Sequence, residues 1–386
     1  MNSLSPMSLM APFCVPLFAL WADCSARAED MPPLEVFWRT TVYAGGRDGC
    51  HTYRIPSLLV APSGALLAFC EGRRDSGRDN GDIDTLVKRS EDGGRTWSAA
   101  RVVWDAGADT CGNPTAVVDR DTGRIWLFMC HNLAADDGPS IRAGSSAGTR
   151  TVWLTFSDDD GRTWAAPRDM TAEAKPADST WDAVGPGVGI QLRHSPAAGR
   201  LVVPAIGREI VSDDHGRTWR MNGPTPPGTS EAQIVELSDG RLLRAGRPAP
   251  PAKESVRRFS LTISADQGAT WSPLRYPEEL VTPVCQASLI RHCPEGESGR
   301  GMLLFSHPAS ETSRERLAIR ASWDDGETWP AAWIANPDLA GYSCLASLEG
   351  GDAGCLFEYG AKRKYERIDF VRFRIRRTAP PLLEKP

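Results

Sequence analysis

Five octapeptides decide how this chain is read: SEDGGRTW (90–97), SDDDGRTW (157–164), SDDHGRTW (212–219), SADQGATW (264–271) and SWDDGETW (322–329). All follow Ser-x-Asp-x-Gly-x-Thr-Trp, and they recur at near-regular intervals. A pattern this long, recurring five times, marks one supersecondary unit repeated along the chain. Within each copy the Asp suits a tight turn, where its carboxylate accepts from backbone N–H groups, and the Gly tolerates positive φ. Thr and Trp then begin a strand on this reading, with the Trp as the apolar anchor of a hairpin. Five of the 13 tryptophans are used this way.

Between the copies lie short β-type runs such as LVVPAI (201–206), AQIVEL (232–237) and GMLLFS (301–306), bounded by turn residues. No long amphipathic helix stands out. The expected fold is therefore all-β, a six-bladed β-propeller of four-stranded antiparallel blades. The repeat is near the roughly 50-residue unit of kelch-type propellers. After the expected leader, about one further repeat length precedes the first copy and another follows the last, so strands from both ends can close a sixth blade. Radial closure leaves only short, protected edges.

Composition bounds the rest. With 41% hydrophobic and 24% charged residues the chain is an ordinary globular protein. Its net charge of −5 argues against a nucleic-acid partner, so an anionic substrate must be held by a local arginine cluster. Residues 1–22 carry no charged side chain, and Ala26-Arg27-Ala28 offers a small-x-small cleavage site. Residues 1–28 are expected to be a signal peptide, residues 29–386 a single six-bladed β-propeller domain, and the protein exported to the periplasm or beyond. The apolar stretch is too short for a membrane span. Eight cysteines follow the leader, without CxxC or Cys/His ligand spacing, so no metal and no cofactor is implied. Cys285/Cys293 and Cys344/Cys355 are spaced for short disulfide loops; buried free thiols are the equal alternative.

Ahead of the first octapeptide stands Tyr53-Arg54-Ile55-Pro56. This motif and the five boxes resemble the (Phe/Tyr)-Arg-Ile-Pro motif and Asp-boxes of sialidases, and the resemblance covers nearly all of residues 40–375. Asp-boxes also occur in propellers of unrelated function, so they speak for the fold far more than for the reaction. The resemblance implies an exo-α-sialidase acting on terminal sialic acids of glycoproteins, glycolipids or oligosaccharides, with a sialylated glycan as partner and a monomeric protein.

The site residues implied by the resemblance fit the chemistry of the substrate. A sialic acid carries a carboxylate on its anomeric carbon, and guanidinium forks match that geometry. Three arginines fill the role: Arg54, Arg247 (at the family's spacing from Glu231) and Arg314, with Arg244 and Arg316 as neighbouring rivals. A carboxylate nucleophile would be repelled by the substrate's own carboxylate. The family uses a tyrosine instead, here Tyr342, which needs a base to take its phenolic proton, here Glu231. The acid/base is an aspartate on the loop after Glu71-Gly72-Arg73. Asp79 fits the spacing best, Asp75, Asp82 and Asp84 compete, and Gly77 and Gly81 suit a mobile loop. Arg73 is a further substrate contact. Glu358, in GCLFEYG, matches a family glutamate that orients Arg54. The Gly-rich segment 181–192 is placed near the pocket without a residue role. Two other outcomes stay open: a transferase of the same family, with the same catalytic residues, and a non-catalytic sialic-acid-binding propeller.

Overall fold

The computed structural model describes Met1 and residues 34–194, 196–249, 256–293 and 301–375. Apart from Met1, the expected leader lies outside the described residues. All elements below belong to the compact unit Pro32–Pro386. The structure is all-β: 23 strands, two short α-helices and one 3-10 turn are found among the described residues. No helix among them is long and apolar enough to cross a membrane.

The strands form four sheets. The largest contains, in order, Thr52–Val60, Leu66–Arg73, Ile83–Ser90, Thr110–Val118, Ile125–Asn132, Thr151–Ser157 and Arg168–Asp169, with Arg101–Trp104 paired to Ile83–Ser90. Next come a four-stranded sheet (Ile190–Gln191, Leu201–Ala205, Arg208–Ser212, Arg220–Met221) and a three-stranded one (Thr229–Glu236, Leu242–Pro248, Ser260–Ser264). A seven-stranded sheet joins Ser288–His292, Met302–Pro308, Glu315–Ser322, Ala331–Ser347, Ala353–Gly360 and Arg367–Arg374 to Glu35–Ala44. The two ends of the described chain thus pair antiparallel, with Thr40 opposite Phe370. Nearly all other neighbours are also antiparallel; Gly187–Val188 runs parallel to Thr110–Val118. Strand interiors such as LLAFCEGR (66–73) and AGCLFEYG (353–360) are buried throughout, as strands covered on both faces must be.

The five octapeptides share one hydrogen-bond pattern. In each, the Ser Oγ accepts from the Gly N–H at 2.7–2.8 Å. The Ser hydroxyl donates to the Asp carboxylate. The Thr hydroxyl donates to the same carboxylate at 2.6–2.7 Å. Thr and Trp do not begin the next strand. The Asp holds the Thr in the turn, and the following strands start later, at Arg101, Arg168, Arg220 and Ala331.

The octapeptides also do more than staple their own hairpins. A Cβ on Gly94, Gly161, Gly216, Gly268 or Gly326 would fall 2.1–2.8 Å from Phe370, Leu67, Trp126, Asn222 or Leu243. The first of these partners lies on the C-terminal strand, and each of the others lies on or beside the strands that precede its box. Trp97, Trp164 and Trp219 stack edge-on to Phe370, Phe69 and Phe128 of those same neighbours. Each turn therefore fastens one strand group to the one before it.

Candidate active site

Four strands enter the site through a break in register. The breaks fall between Arg54 and Ser57, Gly112 and Thr115, Thr229 and Ala232, and Ala340 and Ser343. Such bulges bend a strand and re-aim its side chains. At or inside them stand Arg54, Asn113, Glu231 and Tyr342. Two residues there are left-handed: Ile55 (φ 59°) and Asn113 (φ 56°). For a β-branched residue this is a strained conformation. It is held at Ile55 because its N–H donates to Glu358 at 3.0 Å.

These breaks open onto a cleft of about 680 Å³ lined by Arg54, Arg73, Asp79, Glu231, Arg247, Arg314 and Tyr342. All seven side chains expected at the site meet here. Glu358 lies behind them, fully buried. It grips Arg54 through Nε (3.0 Å) and Nη2 (3.2 Å), and it also accepts the backbone N–H of Tyr342 (2.9 Å). One carboxylate thereby ties the first arginine to the tyrosine's strand. Burial works against the Arg54 charge, but Glu358, together with Tyr365, Tyr342 and Asp79, outweighs it and holds the guanidinium pKa well above its ordinary value.

The Tyr342 hydroxyl donates to Glu231 at 2.6 Å and accepts from Arg247 at 2.7 Å, and Arg247 also pairs with Glu231 at 2.5 Å. Burial pushes the phenol well above its usual pKa, against the pull of Arg247, so it is neutral at rest. Arg54 and Arg314 lie 5.1 and 5.2 Å from the centre of its ring. Packed with Tyr342 are Ile55 and Cys285. Burial pushes the Cys285 thiol up to about 11, against Arg314 and Arg247. All eight cysteines beyond the expected leader are free, so neither short disulfide loop is formed.

Asp79 is the one aspartate of its loop that lines the cleft. Its carboxylate contacts Arg73 at 2.8 Å and Arg54 at 3.2 Å, while its side chain stays 75% exposed. Partial burial opposes ionisation, but Arg73 and Arg54 outweigh it and hold the carboxyl below the usual carboxylate range. The loop is pinned rather than loose. Arg73 donates to Gly77 O (2.7 Å), Asn80 to Ala134 O (2.7 Å) and Thr110 to Gly81 O (3.0 Å). The rivals are placed elsewhere. Asp75 and Asp82 do not line the cleft, and Asp84 is buried against Arg74. Arg244 is buried against Glu209, and Arg316 is exposed outside the cleft.

A BNR repeat-like domain model matches residues 64–355. A sialidase of Micromonospora viridifaciens is 38% identical over 348 residues, covering 84% of this chain and 53% of that protein. An exo-alpha-sialidase of Arthroderma benhamiae is 37% identical over 362 residues, covering 85% and 84%. The chain belongs to the sialidase family. It thus spans about half of the bacterial relative and most of the fungal one. Among solved structures, the Hadza microbial sialidase Hz136 superposes with a TM-score of 0.76 at 31% identity, over 86% of this chain and 68% of that one. A leech intramolecular trans-sialidase, at TM-score 0.75 and 21% identity, over 87% and 70%, shares the fold.

The sialidase cleft is also shaped by residues that sequence reasoning did not place. Tyr365 stands behind the arginines: its hydroxyl accepts from Arg314 at 2.8 Å and its ring lies 4.0 Å from the Arg54 guanidinium. Asn113 lines the cleft, its N–H bound to Glu71 at 3.0 Å. Arg142, Arg150 and Trp181 form another wall. Trp181 belongs to the Gly-rich segment, of which Trp181 and Ala183 reach the cleft. Deeper in that segment, the Pro186 and Gly187 carbonyls accept from Gln233 (2.9 Å) and Ser57 (2.7 Å), linking the inner strands below the site. No spacing rule points to these residues, since each is defined by what it touches. Away from the cleft, Asp119, Asp121 and His215 come close enough to share a cation. The Asp119 oxygens, however, already accept from Thr122, Gln191, the Asp121 N–H and His215.

Proposed function

We propose that this protein is an exo-α-sialidase that hydrolyses terminal α-linked sialic acids with retention, through a covalent bond to Tyr342. The observation that carries the reading is the Tyr342 hydroxyl, held between Glu231 and Arg247 in a cleft that also presents Arg54 and Arg314. Three guanidiniums converging on one opening suit a substrate carboxylate. A neutral phenol is the nucleophile that can approach beside it.

In the first step Glu231 takes the Tyr342 proton as the phenolic oxygen attacks the anomeric carbon. The glycosidic C–O bond breaks, and Asp79 gives its proton to the leaving oxygen. In the second step Asp79 takes a proton from water, whose oxygen attacks the same carbon. The bond to Tyr342 breaks, and Glu231 returns the proton. The three arginines hold the carboxylate through both steps, and Arg73 contacts the ring substituents. Water as the acceptor makes the protein a hydrolase; a hydroxyl of a second sugar in its place would make it a transferase.

The fold reading goes with this function. The sheets divide into six successive runs of about four strands, the last completed by Glu35–Ala44, which supports a six-bladed β-propeller with the cleft at its axis. Export, with residues 1–28 as the leader, is part of the same proposal.

The test is release of a fluorophore from an α-sialoside. Wild type is expected to turn over, and Tyr342→Phe to lose about a thousandfold or more, the scale of removing a nucleophile. Equal rates would remove the mechanism, and no release by wild type would remove the function.

A further inference from the structure

Five arginines are buried among the described residues: Arg54, Arg73, Arg150, Arg208 and Arg244. Four of them hold a carboxylate, namely Glu358, Glu71, Asp182 and Glu209. Arg150 holds none among the described residues. It is 4% exposed, one Nη donates to Asn113 Oδ1 at 3.1 Å, and its Nε has no partner. A buried charge without a counter-charge, carrying an unmet N–H, is costly to keep.

The placement of Arg150 is not loose. Its N–H donates to Thr180 O (2.9 Å), and its carbonyl accepts from the buried Lys175 ammonium (2.7 Å). Its side chain lines the cleft beside Trp181, whose ring centre lies 4.6 Å from the Arg150 guanidinium and 3.9 Å from that of Arg142. Arg142 likewise makes no ion pair among the described residues. Two cations on one indole, with no acid between them, form a wall rich in donors and short of acceptors.

We propose that Arg150, supported by Arg142 and Trp181, donates to an oxygen of the bound sialic acid away from its carboxylate. The inference rests on the sialidase reading above. The carboxylate itself is accounted for by Arg54, Arg247 and Arg314. With the C4 hydroxyl of the ring left to Arg73, the remaining acceptors of the sugar are the carbonyl of its C5 acylamino group and the hydroxyls of its glycerol side chain, and a guanidinium N–H pairs with either. Arg150 is thus a specificity-determining residue; its Nε is buried, so the sugar contact is made through the guanidinium Nη groups of a residue that lines the cleft.

The experiment compares Arg150→Met and Arg150→Lys with wild type on three fluorogenic α-sialosides: the parent, one lacking the C5 acyl group, and one with its glycerol chain shortened. On the parent, kcat/KM is expected to fall about ten- to a hundredfold. On the analogue that lacks the contacted oxygen the fall is expected to shrink to less than about threefold. Which analogue shows the smaller fall identifies the oxygen. Ratios of kcat/KM between substrates do not depend on the fraction of folded enzyme, so partial misfolding leaves the comparison intact, and Arg150→Lys covers the case in which the Met variant does not fold. An equal fall on all three substrates, or no fall, overturns the proposal. Failure of wild type on every sialoside would instead overturn the sialidase reading, which the wild-type arm reports by itself.

Discussion

Arg54 is legible in the sequence, because it sits in YRIP, but the reason for its neighbours is not. Glu358 as the partner of Arg54 is legible by resemblance, but its hold on the left-handed Ile55 through the backbone N–H is shown only by the structure. Tyr365 is the opposite case: an ordinary loop tyrosine by sequence, it touches two of the three arginines. Tyr365→Phe keeps the ring against Arg54 and removes the acceptor from Arg314. It is expected to raise KM about fivefold, the scale of one hydrogen bond of about 1 kcal/mol, with kcat little changed. Steady-state kinetics on one sialoside checks this. Asp79 makes a pH prediction. In the free protein Arg73 and Arg54 hold its pKa low, while a bound substrate carboxylate adds negative charge and occupies Arg54, which raises it. The acid must be protonated to act. As pH rises, kcat/KM, which reports the free enzyme, therefore falls at lower pH than kcat, which reports the complex. Profiles on a sialoside with a sugar leaving group test this, and coincident limbs would contradict it.

At the scale of the element, the octapeptide was readable as a turn from its Asp, an acceptor for backbone N–H groups, and its Gly, free to take positive φ; the Thr, expected to begin a strand, is instead held in the turn by that Asp. Its outward contact was not readable, since the partners Phe370, Leu67, Trp126, Asn222 and Leu243 share no sequence signal. The glycine serves both roles, supplying positive φ and leaving room for the neighbouring strands. Gly216→Ala would place a methyl 2.2 Å from the Trp126 indole. It is expected to destabilise the fold by about 1–3 kcal/mol by overpacking, on top of the φ penalty. Gly207 also has positive φ (71°) but nothing within 4 Å of a Cβ, so Gly207→Ala measures the φ penalty alone. The difference in denaturant midpoint between the two variants reports the contact, and equal midpoints would show that the box does not fasten adjacent strands.

Over the whole molecule, repeat spacing carried the strand content and the pairing of the two chain ends. It could not carry the cleft wall of Arg142, Arg150 and Trp181, which depends on loops between units. The repeat does give the protein a common acid sensitivity. Burial would raise the Asp92 and Asp159 carboxyls, but hydrogen bonds from the box threonine, serine and backbone outweigh it and hold both down to about 2. Asp214 and Asp324 are lowered in the same way, and Asp266 chiefly by Thr270. Unfolded aspartate titrates near 3.9. The folded state thus binds fewer protons between about pH 4 and pH 2, and the stability from these carboxylates is complete above that window and lost as pH falls through it. Denaturant midpoints measured from pH 5 to pH 2 are expected to fall, and to fall less in Asp92→Asn.

The same frame brings Arg54 and Tyr342, from opposite ends of the sequence, to one cleft, and the proposed covalent role of Tyr342 is the claim on which the account turns. A sialosyl fluoride bearing a second fluorine at C3 slows hydrolysis of the intermediate and allows it to be located by peptide mass spectrometry. The account predicts one sialosyl adduct, on Tyr342, absent from Tyr342→Phe. An adduct on Glu231 or Asp79, or continued turnover with no adduct on Tyr342, would contradict it.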